Sequence, residues 1–452
     1  MIDLQFFFRH FGQRMAMAVV VFLFPWLLFA QLSGGGEFNP DLHTNEQLLK
    51  RWQSLRFGMF VHWGPVSLRG TEIGWSRGTQ VPVTDYDSLY KEFNPVLFDA
   101  EAWVDLAKEA GMKYLVFVTK HHDGFCMWPS AYTDYDIGST PFRRDITGEL
   151  AQACRDAGIM FGTYYSILDW WNPLYPGGHG NPPKDTSRAD MKKYITYMYH
   201  QLDELLDRYQ PEVIWFDGQW ERYWTHEEGG KLYAHLRKKK DDLLINNRVD
   251  KGNVQGEKGT KIYAGDFLTP EQRIGAYDLQ NPWESCITIA RQWAWKPNDK
   301  VKSRGEILRT LALAAGGNGN LLLNVSPMLD GRIERRQQQR LREVGAWLKH
   351  YGDAIYGTTG GPYLPDSVMA STRKENKIYL LLLQEQKGDL ALAAPPKVKI
   401  EEVTLMDGKA IPWEKKKDEL HIALPASLPD PDVNVIVIQV KGDVSEIPDL
   451  RR

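Results

Sequence analysis

Val213-Ile214-Trp215-Phe216-Asp217-Gly218 is a short apolar run that ends on a carboxylate. Such a run reads as a strand buried on both faces, as the strands of a parallel sheet are. A carboxylate at its C-terminal end, followed by Gly to turn the chain, stands where alternating α/β folds place their chemistry. An unpaired buried charge is costly, so an Asp here is better explained as recruited than as tolerated. Asp-Gly is also an ordinary turn pair, and an Asp can cap the helix that follows. The rest of the chain has to decide between these readings.

Working outward, similar runs recur at Gly58 to His62, Tyr114 to Thr119, Met160 to Tyr165, Leu243 to Asn246 and Leu321 to Val325. Segments of helical period lie between them: Ala100 to Ala110, Thr147 to Ala157, Asp190 to Arg208, Ser303 to Ala314 and Glu334 to His350. In the third of these, Tyr194, Tyr197, Met198, Leu202, Leu205 and Leu206 make one apolar stripe. Strands alternating with helices predict a parallel sheet with helices outside it. No Gly-x-Gly-x-x-Gly turn opens an early helix, so a (β/α)8-like barrel over residues 38–356 is favoured over an open doubly wound sheet.

Beyond Thr358-Thr359-Gly360-Gly361-Pro362 the pattern changes. Lys377 to Leu383, Leu390 to Ala393, Val398 to Met406, Glu419 to Leu424 and Val433 to Val440 are β-type runs with no helical segment between them. Short turns such as Asp407-Gly408 join them. An antiparallel β-sandwich over residues 362–442 is expected.

The chain has 452 residues and a formal net charge of −3, with no basic arm and no zinc-finger spacing, which speaks against nucleic acid as a partner. It carries 16 Trp and 20 Tyr, side chains that suit the C–H faces of sugars and that large cores also simply bury. Arg9 and Arg14 precede an uncharged run from Met15 to Ala30, with Phe29-Ala30-Gln31 as a cleavage point. Residues 1–31 therefore read as an export signal, giving a periplasmic or extracellular protein without stable membrane insertion after cleavage; an uncleaved anchor is the alternative. Cys126, Cys154 and Cys286 allow one disulfide at most.

Four strand ends carry polar clusters: His62-Trp63-Gly64, Lys120-His121-His122-Asp123-Gly124-Phe125, Tyr164-Tyr165-Ser166 and Asp217. In a barrel these ends open on one face, so residues distant in sequence converge. A metal centre is disfavoured by spacing: there is no His-x-His or His-Glu-x-x-His, and adjacent residues such as His121 and His122 would point to opposite sides of a strand. Gly316-Gly317-Asn318-Gly319-Asn320 lacks the Lys-Ser/Thr of a phosphate loop and precedes a strand. No Gly-x-Ser-x-Gly marks a serine nucleophile. Carboxylate chemistry with imidazole and aromatic binding groups remains, which suits glycoside hydrolysis. Retention of configuration needs two carboxyl groups roughly 5–5.5 Å apart. Asp217 is the first; Glu271 and Glu284 are both candidates for the second, and the residues alone do not choose between them.

Phe57-Gly58-Met59-Phe60-Val61-His62-Trp63-Gly64, Lys120 to Phe125, Trp215-Phe216-Asp217-Gly218 and Gly317-Asn318-Gly319-Asn320-Leu321-Leu322-Leu323-Asn324-Val325, in this order, resemble the family-29 α-L-fucosidases. The resemblance runs on to Tyr351-Gly352-Asp353-Ala354-Ile355-Tyr356. It implies a distorted barrel, a C-terminal β-sandwich, and exo-acting, retaining hydrolysis of terminal α-L-fucose from oligosaccharides or glycoconjugates, with no metal and no cofactor. It also implies Asp217 as nucleophile, Glu271 as acid/base with Glu284 in reserve, His62, His121, His122 and Tyr164 as fucose binders, and Glu72, Trp75, Arg248, Glu284 and Trp293 as further substrate-binding residues. Arg248 matches the family's Asn-Asp-Arg, with Asn247 in place of the Asp, and Trp293 matches an aromatic position on the sugar's methyl side. The family's Glu-Trp pair corresponds to Glu72 and Trp75, here split by Ile73-Gly74. A catalytically silent fucose-binding protein on the same scaffold is the alternative, because fold does not decide function.

Overall fold

Seven strands, β1 (Phe57–Val61), β2 (Tyr114–Lys120), β3 (Met160–Ser166), β4 (Val213–Asp217), β5 (Leu244–Ile245), β6 (Glu284–Thr288) and β7 (Asn320–Val325), pair as one parallel sheet. In this computed structural model, which describes residues 44–251 and 264–451, their order is β5-β4-β3-β2-β1-β7-β6. Residues 1–31, read above as an export signal, lie outside the described residues. All residues of the seven strands are buried. That is the expected state for strands covered by helices on one face and by the barrel interior on the other. The helices Ala100–Glu109, Ile146–Ala157, Met191–Tyr209 and Arg304–Gly316 begin on Asp99, Asp145, Asp190 and Ser303, whose side chains accept from backbone N–H groups of the first turn.

β5 and β6 stand at the two edges, and residues 266–272 fill the gap between them. On one side Asp266 N donates to Ile245 O (2.6 Å) and Asn247 N to Phe267 O (2.9 Å). On the other, Glu284 N donates to Leu268 O (2.8 Å), Cys286 N to Pro270 O (3.1 Å) and Gln272 N to Cys286 O (2.9 Å). This segment completes a (β/α)8-like barrel without being a regular strand: Pro270 has no N–H to give, and Gln272 has φ 51°. The sequence reading passed over β6, because Glu284, Ser285 and Thr288 break up its apolar pattern.

One glycine is needed for packing across the barrel. A Cβ on Gly58 would lie 2.3 Å from Tyr114 Cε2, so only Gly lets the Tyr114 ring cross β1.

The β-rich end consists of a five-stranded and a three-stranded sheet. In the strand Lys377–Leu382, Ile378, Leu380 and Leu382 join Leu390, Leu392, Leu420 and Ile422 of the smaller sheet in one core. Tyr379 and Leu381 point the other way, into the core shared with the barrel helices. Both faces are buried, with period two deciding which neighbour each residue meets. The antiparallel sandwich is as expected, but Met369–Lys374 and Trp413–Lys416 are strands that the sequence reading missed. Charged residues in both strands hide their pattern. Trp347 Nε1 donates to Val433 O (2.9 Å), tying the helix Arg335–Tyr351 to this sheet.

Candidate active site

At the C-terminal ends of the strands lies a pocket open on one side. His62 from β1, His121 and His122 after β2, Tyr164 of β3, Asp217 of β4, and Arg248, Glu271 and Trp293 from beyond β5 all line it, together with Trp75. Phe60, Trp215, Trp220 and Cys286 complete the lining. Phe60 and Trp215 precede His62 and Asp217 by two residues, so the period of the strand puts each pair on the inner face. That spacing was a readable signal for both aromatics. No comparable signal marks Cys286 or Trp220. The three cysteines are buried free thiols.

Asp217 is held from two sides. Arg248 Nη1 donates to its Oδ1 (2.7 Å) and the Tyr164 hydroxyl to its Oδ2 (2.9 Å). The other terminal nitrogen of Arg248, Nη2, donates to Glu271 Oε2 (3.0 Å). One guanidinium thus carries both carboxylates, a fixed fork that Lys would not reproduce. Thr269 fixes that fork by accepting from Arg248 Nε at Oγ1 (2.9 Å) and from Nη2 at its carbonyl (3.1 Å). Burial alone would lower the Arg248 pKa; the charge of Asp217 does most to reverse this, and the guanidinium is held above its ordinary value and stays cationic. Beneath it the Trp215 ring centroid lies 4.6 Å from the guanidinium carbon. Asn247, standing where the family pattern has Asp, accepts from Thr269 Oγ1 (2.8 Å) and so supports Arg248 indirectly.

The histidines are neutral. Burial pushes His62 down to about 4 and His122 to about 3, and His121 well below its usual value. Their tautomers follow from their partners. Asn324 Nδ2 donates to Trp293 O (2.8 Å), which turns its Oδ1 toward His62 Nδ1 at 2.6 Å; Nδ1 therefore donates and Nε2 is the acceptor. Ser166 Oγ donates to Leu168 O (2.8 Å) and accepts from His122 Nδ1 (2.7 Å), leaving His122 Nε2 as acceptor, 3.6 Å from Asp217 Oδ2. That gap is too long for a hydrogen bond. A hydroxyl placed between the two could donate to either.

His121 and His122 correct the expectation that adjacent residues point apart. Both line the cavity, with ring centroids 4.1 Å apart. The β2–β3 register shifts between Val118 and Lys120, and both histidines lie past the end of β2, where strand alternation no longer applies. Lys120 is the residue that turns outward, fully buried, donating to Tyr165 OH (2.8 Å) and paired with Asp169 at 3.4 Å.

Two of the residues singled out from the sequence do not reach the cavity. Glu284 is 1% exposed and accepts from Tyr114 OH (2.5 Å) and Trp215 Nε1 (3.0 Å), behind the wall; burial pushes its carboxyl up to about 7. The expectation of a pocket residue, whether as substrate contact or as reserve acid/base, does not match this placement: Glu284 braces Trp215 from outside the pocket. Glu72 also lies outside the pocket lining. Its carboxylate accepts from the backbone N–H groups of Trp293 (2.9 Å), Ala294 (3.0 Å) and Ile73 (3.1 Å), and so positions Trp293. The inserted Ile73-Gly74 leaves Trp75, and not Glu72, at the cavity. Among the described residues, no group of three or more His, Cys, Asp or Glu is placed to hold a metal ion, and no helix is long and apolar enough to cross a membrane.

The α-L-fucosidase family model matches residues 33–353. Tissue α-L-fucosidase of Bos taurus is 31% identical over 402 residues, covering 82% of each chain. Among solved structures, α-L-fucosidase isoenzyme 1 of Paenibacillus thiaminolyticus is similar with a TM-score of 0.78 and 35% identity, over 88% of this chain and 99% of that one. A GH29 α-L-fucosidase of Bacteroides thetaiotaomicron, solved as a trapped covalent intermediate with 2-fluoro-fucosyl fluoride, has a TM-score of 0.79 at 28% identity, over 88% of this chain and 96% of its own. A barrel whose strand ends converge on two carboxylates and three neutral histidines, matched across this much of its length, belongs to the α-L-fucosidase family of glycoside hydrolases.

Proposed function

We propose that this protein is an exo-acting, retaining α-L-fucosidase that removes terminal α-L-fucose from oligosaccharides or glycoconjugates by double displacement. The observation that carries this reading is Arg248, whose two terminal nitrogens hold Asp217 and Glu271 in the lining of one pocket. Asp217, paired with Arg248, attacks the anomeric carbon as the bond to the leaving oxygen breaks. Glu271 gives that oxygen its proton. The products of this step are a fucosyl ester on Asp217, the free aglycone alcohol and an ionised Glu271. Glu271 then takes a proton from water as the water attacks the same carbon, which frees Asp217 and restores the starting state. The neutral imidazoles of His62 and His122 offer Nε2 acceptors to sugar hydroxyls, and Tyr164 keeps Asp217 oriented. The intact Asp217–Arg248–Glu271 arrangement supports hydrolysis over silent binding of fucose.

Asp217→Gly is the test. Turnover should fall by about 10⁴-fold or more with the fold retained, and azide should restore activity by forming β-fucosyl azide. Substantial unaided turnover by the variant would sink the assignment. Export with removal of residues 1–31 is part of the same proposal; an intact Met1 in the mass of secreted or periplasmic protein would overturn that part.

A further inference from the structure

Seven large apolar side chains are exposed among the described residues, and two of them, Trp75 and Trp220, stand at the mouth of the same cavity. Trp75 is 41% exposed and Trp220 is 45% exposed, while Phe60, Trp215 and Tyr164 deeper in the pocket are at most 1% exposed. Single exposed apolar residues need no explanation; two indoles flanking one polar pocket do. Both rings meet the ring of His122 edge-on, Trp75 at 5.6 Å and 84° and Trp220 at 5.4 Å and 89°. Neither ring is merely loose. Trp75 packs on Trp170 (5.1 Å) and His179 (5.2 Å), and His179 Nε2 lies 3.2 Å from Trp75 O.

The position of Trp220 is tied to Asp217 by a forced turn. Gly218 has φ 91°, and a Cβ there would lie 2.4 Å from Leu168 Cγ. Ile167 N donates to Asp217 O (2.8 Å), closing the same turn from the β3 side. Trp220, three residues after Asp217, is thereby held at the edge of the pocket while nearly half of its surface stays in water.

We propose that Trp220, with Trp75, forms a leaving-group subsite that stacks on the apolar C–H face of the sugar ring to which fucose is joined. This rests on the hydrolase reading above. A pocket closed at its base by Phe60, Trp215 and Tyr164 takes the terminal residue only, so the ring attached to it must leave past the exposed rim. Glu271, whose side chain is 38% exposed, stands at that rim as proton donor to the shared oxygen. An indole there gains contact when a ring-bearing aglycone is present and gains nothing from a leaving group without a ring. Binding energy from this non-reacting ring would be used to hold the scissile bond against Glu271.

The test compares two substrates in wild type, Trp220→Ala and Trp220→Phe. One is an α-L-fucosyl disaccharide that the wild type cleaves; the other is α-L-fucosyl fluoride, whose leaving group has no ring. The ratio of kcat/KM on the disaccharide to that on the fluoride should fall about tenfold or more in Trp220→Ala. Trp220→Phe should restore most of it. An unchanged ratio, whether both rates fall together or neither falls, overturns the subsite. If the wild type cleaves neither the fluoride nor any fucosyl disaccharide, the hydrolase reading itself has failed, an outcome distinct from an unchanged ratio.

Discussion

The two sides of the barrel are built differently. From β1 to β4 the strands are continuous and fully buried, with one register shift late in β2, and they deliver His62, Tyr164 and Asp217 at their C-terminal ends. From β5 to β6 the wall is a two-residue strand, a 3-10 turn at Asn247–Val249 and the irregular segment 266–272, and this side delivers Arg248 and Glu271. In the proposed mechanism the regular side places the groups that bind and attack, and the irregular side places the proton donor, beside the cation that pairs both carboxylates. A strand offers one inward side chain every second residue at fixed height. Departing from it lets Arg248 reach across to Asp217 while Thr269 holds it from behind.

If the two sides meet at Arg248, its loss should disable both. Arg248→Ala leaves Asp217 without its ion pair in a site where Arg248 is 3% and Asp217 12% exposed at the side chain. A fall in kcat/KM of about 10³-fold or more is expected, with destabilisation of roughly 3–5 kcal/mol. Kinetics together with urea denaturation would check both. Near-normal activity in a folded Arg248→Ala protein would separate the two sides that we join.

Glu271→Ala acts on the irregular side alone. Substrates with poor leaving groups should lose about 10²–10⁴-fold, and activated aryl fucosides far less, because they need little proton donation. Glu284→Ala should lack this leaving-group dependence, since its carboxylate is held by Tyr114 and Trp215 behind the wall. If the dependence belonged to Glu284→Ala instead, the role given to Glu271 would be wrong.

The smallest effect concerns stability against pH. Burial raises the Glu284 carboxyl from its ordinary 4.5 to about 7, so the folded state binds a proton there that the unfolded state releases. That contribution is fully present below about 4.5 and is lost as pH rises through about 7. Relative to Glu284→Gln, which stays neutral, the wild type should gain stability by an amount on the order of 2–3 kcal/mol as pH falls across that window. His62 and His122 have the opposite sign: held neutral by burial, they cost stability as pH falls below 6.5. Urea midpoints of wild type and Glu284→Gln against pH isolate the first effect, because the histidines cancel in the difference. A difference that does not vary with pH would show that Glu284 is not held protonated.

The strands, most of the helices and the β-rich end were legible as sequence because their patterns are local. Apolar runs of period two and stripes of helical period follow from which faces are buried. Asp217, His62 and Tyr164 were legible for the same reason, as polar residues ending such runs. β6 and Met369–Lys374 were not, since their polar residues are buried against partners that sequence does not display, and Trp413–Lys416 was not, since its three charged residues are exposed and leave no apolar period.

By itself, the sequence determined the order of strands and helices and the polar residues at four strand ends, because burial imprints its period on neighbouring residues. Only the tertiary structure decided which of the two glutamates reaches the pocket. Glu271 and Glu284 are both single carboxylates near one strand, and what separates them is contact across the fold. Arg248 meets one, while Tyr114, crossing β1 where Gly58 leaves room for it, claims the other.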